Sequence, residues 1–183
     1  MDPDYPMVKR QIVQKVGQLF QLLGQKLGRE LEDSGLIGSA EYKISRGENY
    51  RNMPYTVLDF PRITGNNFPV VCRTLFWWGH YFSCTLLVQT SLIDIQNTAS
   101  LLAQKGKLKL YTGSDLWEQD LNNSGFVKLN TIKPKEISDI LAQQEYLKVS
   151  CKITLKDFEN LETLAVEAYS KMLSRISIKK GAV

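Results

Sequence analysis

Arginines and aromatics are the residue types whose spacing here could do chemistry, and they gather in one stretch. Nine of the 18 aromatic residues fall between Tyr50 and Phe82, and four of the seven arginines are Arg46, Arg51, Arg62 and Arg73. No lysine occurs from Ile44 to Gln104, so the local preference is for the guanidinium. A guanidinium grips a carboxylate or phosphate with parallel N–H donors and stacks on rings, which an ammonium does less well. Glu48 and Asp59 are the only acids between Tyr42 and Ile93. Arg73, inside an apolar run, therefore admits two readings. It forms a structural ion pair with Asp59 or Glu48 that fastens strands, because an unpaired buried charge is costly. Alternatively Arg46, Arg62 or Arg73 holds an anionic ligand, a carboxylate or phosphate, beneath Trp78 or Tyr81.

Other chemistries are less well supported. His80 is the sole histidine and suits acid–base work by type, but it falls at an expected hairpin tip, where an exposed turn residue is the default. Glu48 with Asp59 is a conceivable carboxylate pair of the hydrolytic kind. Cys72, Cys84 and Cys151 are odd in number and lack metal-ligand spacing, so they read as buried free thiols of a reducing compartment, and no metal is expected. The chain has no Walker loop, no G-x-G-x-x-G and no H-E-x-x-H, and no cofactor is implied. A net charge of +4 with scattered lysines disfavours nucleic acid, although bases could stack on an aromatic, arginine-bearing sheet face. Trp117-Glu118, in a polar connection, reads either as packing within the domain or as a lid or anchor over the sheet.

These side chains must be positioned by a fold that 183 residues, 43% of them hydrophobic, can build as one domain spanning 1–183. Val8, Ile12, Val16, Leu19, Phe20, Leu23, Leu27 and Leu31 recur at three and four, predicting a helix over 7–33 that Gly35 and Gly38 end. Gly24 and Gly28 lie near its stripe, where another element could approach closely. Alternation at Ala40, Tyr42 and Ile44, then the runs 55–60, 70–78 and 81–90, predict four antiparallel strands, with a turn at 65–67. Gly79-His80 is read as a two-residue turn pairing Trp78 with Tyr81 and Trp77 with Phe82. That register puts Val71, Arg73, Leu75, Trp77, Phe82, Cys84, Leu86 and Val88 on a core face. Cys72, Thr74, Phe76, Trp78, Tyr81, Ser83, Thr85 and Leu87 then form a pocket or interface wall. A slip of one residue exchanges such faces.

Further on, the patterns predict a helix over 93–104, a short strand over 108–112, and a helix from Pro134 to about Gln144. A strand over 146–154 precedes a closing helix from Phe158 to Ile176 behind a Thr154-x-x-Asp157 capping signal. The expectation is an α+β fold: an antiparallel sheet of five to six strands packed on one face by long N- and C-terminal helices, with frayed ends at 1–6 and 178–183. The charge-free run Thr74–Ile93 is long enough to span a bilayer. Its hydroxyls and central Gly79-His80 favour a hairpin, and the protein is expected to be cytoplasmic.

KISRGENYRNMPYTVLDFPR (43–62), RTLFWWGHYFS (73–83) and DLWEQDL (115–121) together resemble a family of small uncharacterised proteins from Bacteroidota. The resemblance covers the central part of the chain and implies no activity, cofactor or catalytic residue. The functional expectation therefore rests on the residues themselves. It is a binding or interaction module whose site draws on Arg46, Glu48, Tyr55, Asp59, Arg73, Trp78, His80 and Tyr81, for a small anionic ligand or a protein partner. The rival readings are an enzyme with Glu48 or Asp59 as acid or base beside His80, and homodimerisation through the same aromatic face.

Overall fold

The structure is a computed structural model that describes residues 5–31, 41–63, 68–104 and 106–179. The expected helix end at Gly35 and Gly38, the first position of the strand alternation at Ala40 and the turn at 65–67 lie outside them. Among the described residues, seven strands form one antiparallel sheet in the order β1-β2-β3-β4-β7-β5-β6. They are β1 (Lys43–Tyr50), β2 (Met53–Phe60), β3 (Val70–Trp77), β4 (Tyr81–Gln89), β5 (Lys109–Tyr111), β6 (Phe126–Lys128) and β7 (Tyr146–Ile153). The helices are α1 (Tyr5–Leu31), α2 (Ile95–Leu102), α3 (Pro134–Ala142) and α4 (Leu161–Leu173). The α+β fold is as expected, with one strand more than the five to six foreseen. The three-residue β6 is too short to carry a period and was not anticipated.

Local chemistry accounts for the elements. The apolar stripe of α1 buries Val16, Phe20, Leu23, Leu27 and Leu31 against the sheet. Asp94 caps α2 by accepting from the Asn97 N–H at 3.0 Å, and Pro134 opens α3 where its missing N–H costs nothing. Thr154 donates to Asp157 at 2.7 Å, but a 3-10 turn (Leu155–Asn160) intervenes before α4 starts. The C-terminal segment is pinned rather than frayed at Ile178 and Lys179. Ile178 bridges Ile93, and the Lys179 N–H donates to the Leu92 carbonyl at 2.9 Å.

Register decides which side chains share a face, and here the structure corrects the sequence reading. Trp77 pairs with Tyr81, Phe76 with Phe82, Thr74 with Cys84 and Arg73 with Thr85. The loop is thus three residues long, Trp78-Gly79-His80. The His80 N–H donates to the Trp77 carbonyl at 3.0 Å, and Gly79 holds φ +71°. A positive φ at the third position alone is the demand of a type II turn, which glycine meets without strain. The shift leaves the β4 faces as expected and exchanges those of β3. Cys72, Thr74 and Phe76 join Phe82, Cys84, Leu86 and Val88 beneath the helices, within one core shared by α1, α2, α3 and α4. Arg73, Leu75 and Trp77 instead share the opposite face with Tyr81, Ser83 and Thr85.

No helix among the described residues is long and apolar enough to cross a membrane. Thr74–Ile93 is mostly the β3–β4 hairpin.

The close approach foreseen at α1 is real at Gly24, where an added Cβ would lie 2.7 Å from the Tyr42 ring. Gly→Ala inside a helix ordinarily gains about 1 kcal/mol. Overpacking against Tyr42 should reverse that sign, so Gly24→Ala is expected to lose about 1–3 kcal/mol in denaturant unfolding. A stabilised variant would show that the ring yields freely.

Candidate functional site

The sheet face turned away from the helices carries a polar row that register alone creates. Lys43 pairs with Asp59, Asp59 with Arg73, Arg73 with Thr85 and Thr85 with Ser150. Ser150 then pairs with Lys109 and Lys109 with Lys128. At its centre Arg73 Nε donates to Asp59 Oδ1 at 2.6 Å and Nη2 to Oδ2 at 2.9 Å, both side chains being buried. The Thr85 and Ser150 hydroxyls continue the row at 2.8 Å from each other. Of the two partners foreseen for Arg73, Asp59 is the one it takes.

The connection between β5 and β6 crosses this face and is held by a network of polar contacts. Tyr81 Oη accepts from the Leu121 N–H at 2.8 Å. Tyr50 Oη donates to Glu118 at 2.5 Å and accepts from the Gln119 N–H at 3.0 Å. Arg51 reaches Glu118 at 2.8 Å and Asp120 at 2.5 Å from a two-residue turn in which Arg51 and Asn52 both hold positive φ, 50° and 64°. From below, Lys148 Nζ donates to the carbonyls of Leu116 and Glu118 and lies 4.5 Å from the Tyr111 ring centroid. Burial, then the nearby Arg73 charge, pushes the Lys148 ammonium down to about 7. Burial and the Glu118 hydrogen bond push the Tyr50 phenol up to about 12.

The connection leaves part of the face open. A cleft of about 430 Å³ is lined by Ser45 and Tyr50 of β1, Tyr55, Val57 and Asp59 of β2, Arg73 and Leu75 of β3, and Asp115, Trp117 and Gln119 of the connection. Trp117 stands at 50% exposure with the Arg73 guanidinium 4.3 Å from its ring centroid. Asp115 Oδ1 accepts from the Trp117 N–H at 2.9 Å, which fixes the backbone there.

The eight residues singled out from the sequence divide. Tyr55, Asp59 and Arg73 line the cleft, and Tyr81 lies buried beneath the crossing connection. His80 sits at the hairpin tip, exposed, its ring stacked 3.7 Å from that of Trp77. Arg46, Glu48 and Trp78 are not in the cleft. Arg46 lies against Gly17 of α1, Glu48 pairs with Lys9 of α1 at 2.6 Å, and Trp78 packs on the helix-side core beside Phe76. The acid pair foreseen for hydrolysis is therefore split between the two faces. Sequence reasoning missed Ser45, Tyr50, Asp115, Gln119 and the buried Lys148. Trp117-Glu118 was flagged, and it serves as both wall and anchor. Cys72, Cys84 and Cys151 are free, and among the described residues no cluster of His, Cys, Asp or Glu is placed to hold a metal.

The fold and cleft define an α+β chain with one sheet face under helices and the other partly open. No family model matches it, and no curated protein matches it. Among solved structures it is similar to a conserved hypothetical protein from Pyrococcus furiosus, at a TM-score of 0.51 and 12% identity. The likeness covers 93% of this chain and 97% of that one, and it concerns the fold alone.

Two stability tests follow from the geometry. Asp59→Leu or Arg73→Met alone strands a buried charge and should lose about 3–5 kcal/mol, whereas the double variant should lose clearly less than the sum. Additive losses would mean that the two side chains are not coupled.

For Lys148, the unfolded chain keeps a proton to about pH 10.4 that the folded chain releases near 7. In that interval the unfolded state binds more protons, so this lysine makes stability rise with pH, by at most about 1.4 kcal/mol per pH unit. The Cys72 thiol, raised by burial, and the Cys84 thiol, raised by its hydrogen bond with Cys151 and then by burial, act in the opposite sense above their ordinary range. The wild type should therefore gain on Lys148→Met as pH rises from 7 to 10. A difference independent of pH would show a lysine charged throughout.

Proposed function

We propose that this chain is a small-molecule binding module whose ligand enters the cleft between β1, β2, β3 and the Asp115–Gln119 stretch. One observation carries the reading: Trp117, half exposed, is held over a buried Asp59–Arg73 pair at the wall of a 430 Å³ cleft. A large apolar ring left in water costs free energy that burial under a ligand would recover. Ring-lined clefts of about 300–1,000 Å³ with a few fixed polar groups are the usual form of a small-ligand site.

The lining also redirects the ligand class away from the anion first expected. Asp59 engages Arg73 through two donors, and Asp115 adds a second carboxylate to the same walls. An incoming anion would meet two negative groups and one positive group whose charge Asp59 already balances. A neutral ligand with hydrogen-bonding groups meets no such conflict.

Each of the three tryptophans gives one indole N–H signal in a 15N-labelled sample, and Trp117→Phe assigns that of Trp117. Screened against neutral, anionic and cationic ring compounds, the Trp117 signal should shift saturably with neutral members. Trp117→Ala, read by calorimetry because it lacks that signal, should abolish binding while the melting temperature stays within a few degrees. If no compound of any class moves that signal, the cleft is not a ligand site.

A further inference from the structure

Resting on that reading of the cleft, we infer that its ligand is a saccharide and that Trp117 is the platform for a pyranose ring. A sugar ring joins two opposite demands in one small object. Its axial C–H groups make an apolar face that needs an aromatic ring beneath it. Its rim of hydroxyls needs partners that donate and accept side by side, without net charge.

The cleft supplies both. Trp117 offers a half-exposed indole, and Tyr50 and Tyr55, edge to face at 6.2 Å, give a second aromatic wall. Trp117 is braced by the Arg73 guanidinium at 4.3 Å and by Asp115 at its backbone, so little side-chain freedom remains to be lost on stacking.

The polar wall is centred on an ion pair and is bifunctional. Asp59 takes two of the five guanidinium N–H groups of Arg73, which leaves donors on the arginine and free lone pairs on the carboxylate. Both are planar, rigid and buried, so neighbouring hydroxyls could be read as one donor and one acceptor. Ser45, Asp115 and Gln119 add further groups of both kinds around the opening. A purely apolar ligand would strip water from these groups without replacing it. An anion would face Asp59 and Asp115. The volume fits about one or two pyranose rings.

The test is a glycan array followed by titration of neutral mono- and disaccharides, read on the Trp117 indole signal. Uronates, sugar phosphates and aromatic amines are run in parallel. The expected result is saturable binding of at least one neutral pyranoside, weakened about tenfold or more in its charged analogues. Trp117→Ala, which lacks the indole signal and is read on the array and by calorimetry, should abolish that binding with the fold retained. Glu48→Gln, which lies outside the cleft beside α1, should change the affinity less than twofold. If Trp117→Ala unfolds the chain, Gln119→Ala replaces it as the loss-of-binding variant. Should non-saccharide compounds move the Trp117 signal while no saccharide does, the saccharide assignment falls and the cleft stands. Should nothing move it, both fall. A sugar that binds equally well to Trp117→Ala would also overturn the assignment.

Discussion

An arginine on the face of a buried strand sets the terms for everything around it. Arg73 cannot be withdrawn from water without a partner, and the antiparallel register of β2 and β3 puts Asp59 directly opposite it. Once that pair exists, apolar packing cannot close over the site as it does beneath the helices. The same register extends the polar row through Thr85 and Ser150 to the short strands, so this whole sheet face differs chemically from the one under α1 and α4. What covers it must bring polar groups of its own. The β5–β6 connection does so with Glu118, Gln119 and Asp120, anchored on Tyr50, Arg51, Tyr81 and Lys148.

How much of this was legible in the sequence depends on the range over which each interaction acts. The terminal helices, α2, α3 and β7 follow from local periodicity, capping and a proline, and all were foreseen near their observed places. The β3–β4 register did not follow, because one residue of loop length decides it. Gly79-His80 has the composition of the commonest two-residue hairpin turn, but the chain places Trp78 inside the loop and uses glycine one position later. A counter-signal was present in β3 itself. Leu75 and Trp77 alternate with Thr74 and Phe76, so neither face of this strand is distinctly more apolar than the other, and the pattern could not choose between them.

The candidate site was half legible for a different reason. Asp59 and Arg73 lie 14 positions apart and were weighed as a pair, whereas Tyr50 and Glu118 are 68 apart and nothing local connects them. Arg46 and Glu48 belong to the same arginine-rich stretch, yet they lie against α1. Composition along the chain shows neither strand parity nor the irregularity between Gly47 and Tyr50 that resets it. Lys148 left no trace at all. In the sequence it is one of two lysines on the polar side of an ordinary half-buried alternation, with Tyr146, Ser150 and Lys152, and its burial becomes visible only when the connection supplies two carbonyls and the Tyr111 ring.

The partial cover is what leaves the cleft open. Two interactions oppose each other along the β5–β6 connection: Tyr81 and Lys148 draw it down, while the Asp59–Arg73 pair denies it an apolar surface on which to finish packing. Trp117 is where they meet. Its ring rests against Arg73, yet half of it remains in water although the chain has ample core in which to bury an indole. Elsewhere on this face the rings of Trp77, Tyr81, Tyr111 and Phe126 are packed away with Leu121. The exposed indole is therefore not a general shortage of cover but a local consequence of stopping the connection over a charged pair. Filling that gap with one more apolar residue would bury Trp117 and close the cleft. The chain has Gln119 there instead, a polar side chain whose Nε2 donates to the Trp117 carbonyl at 3.1 Å.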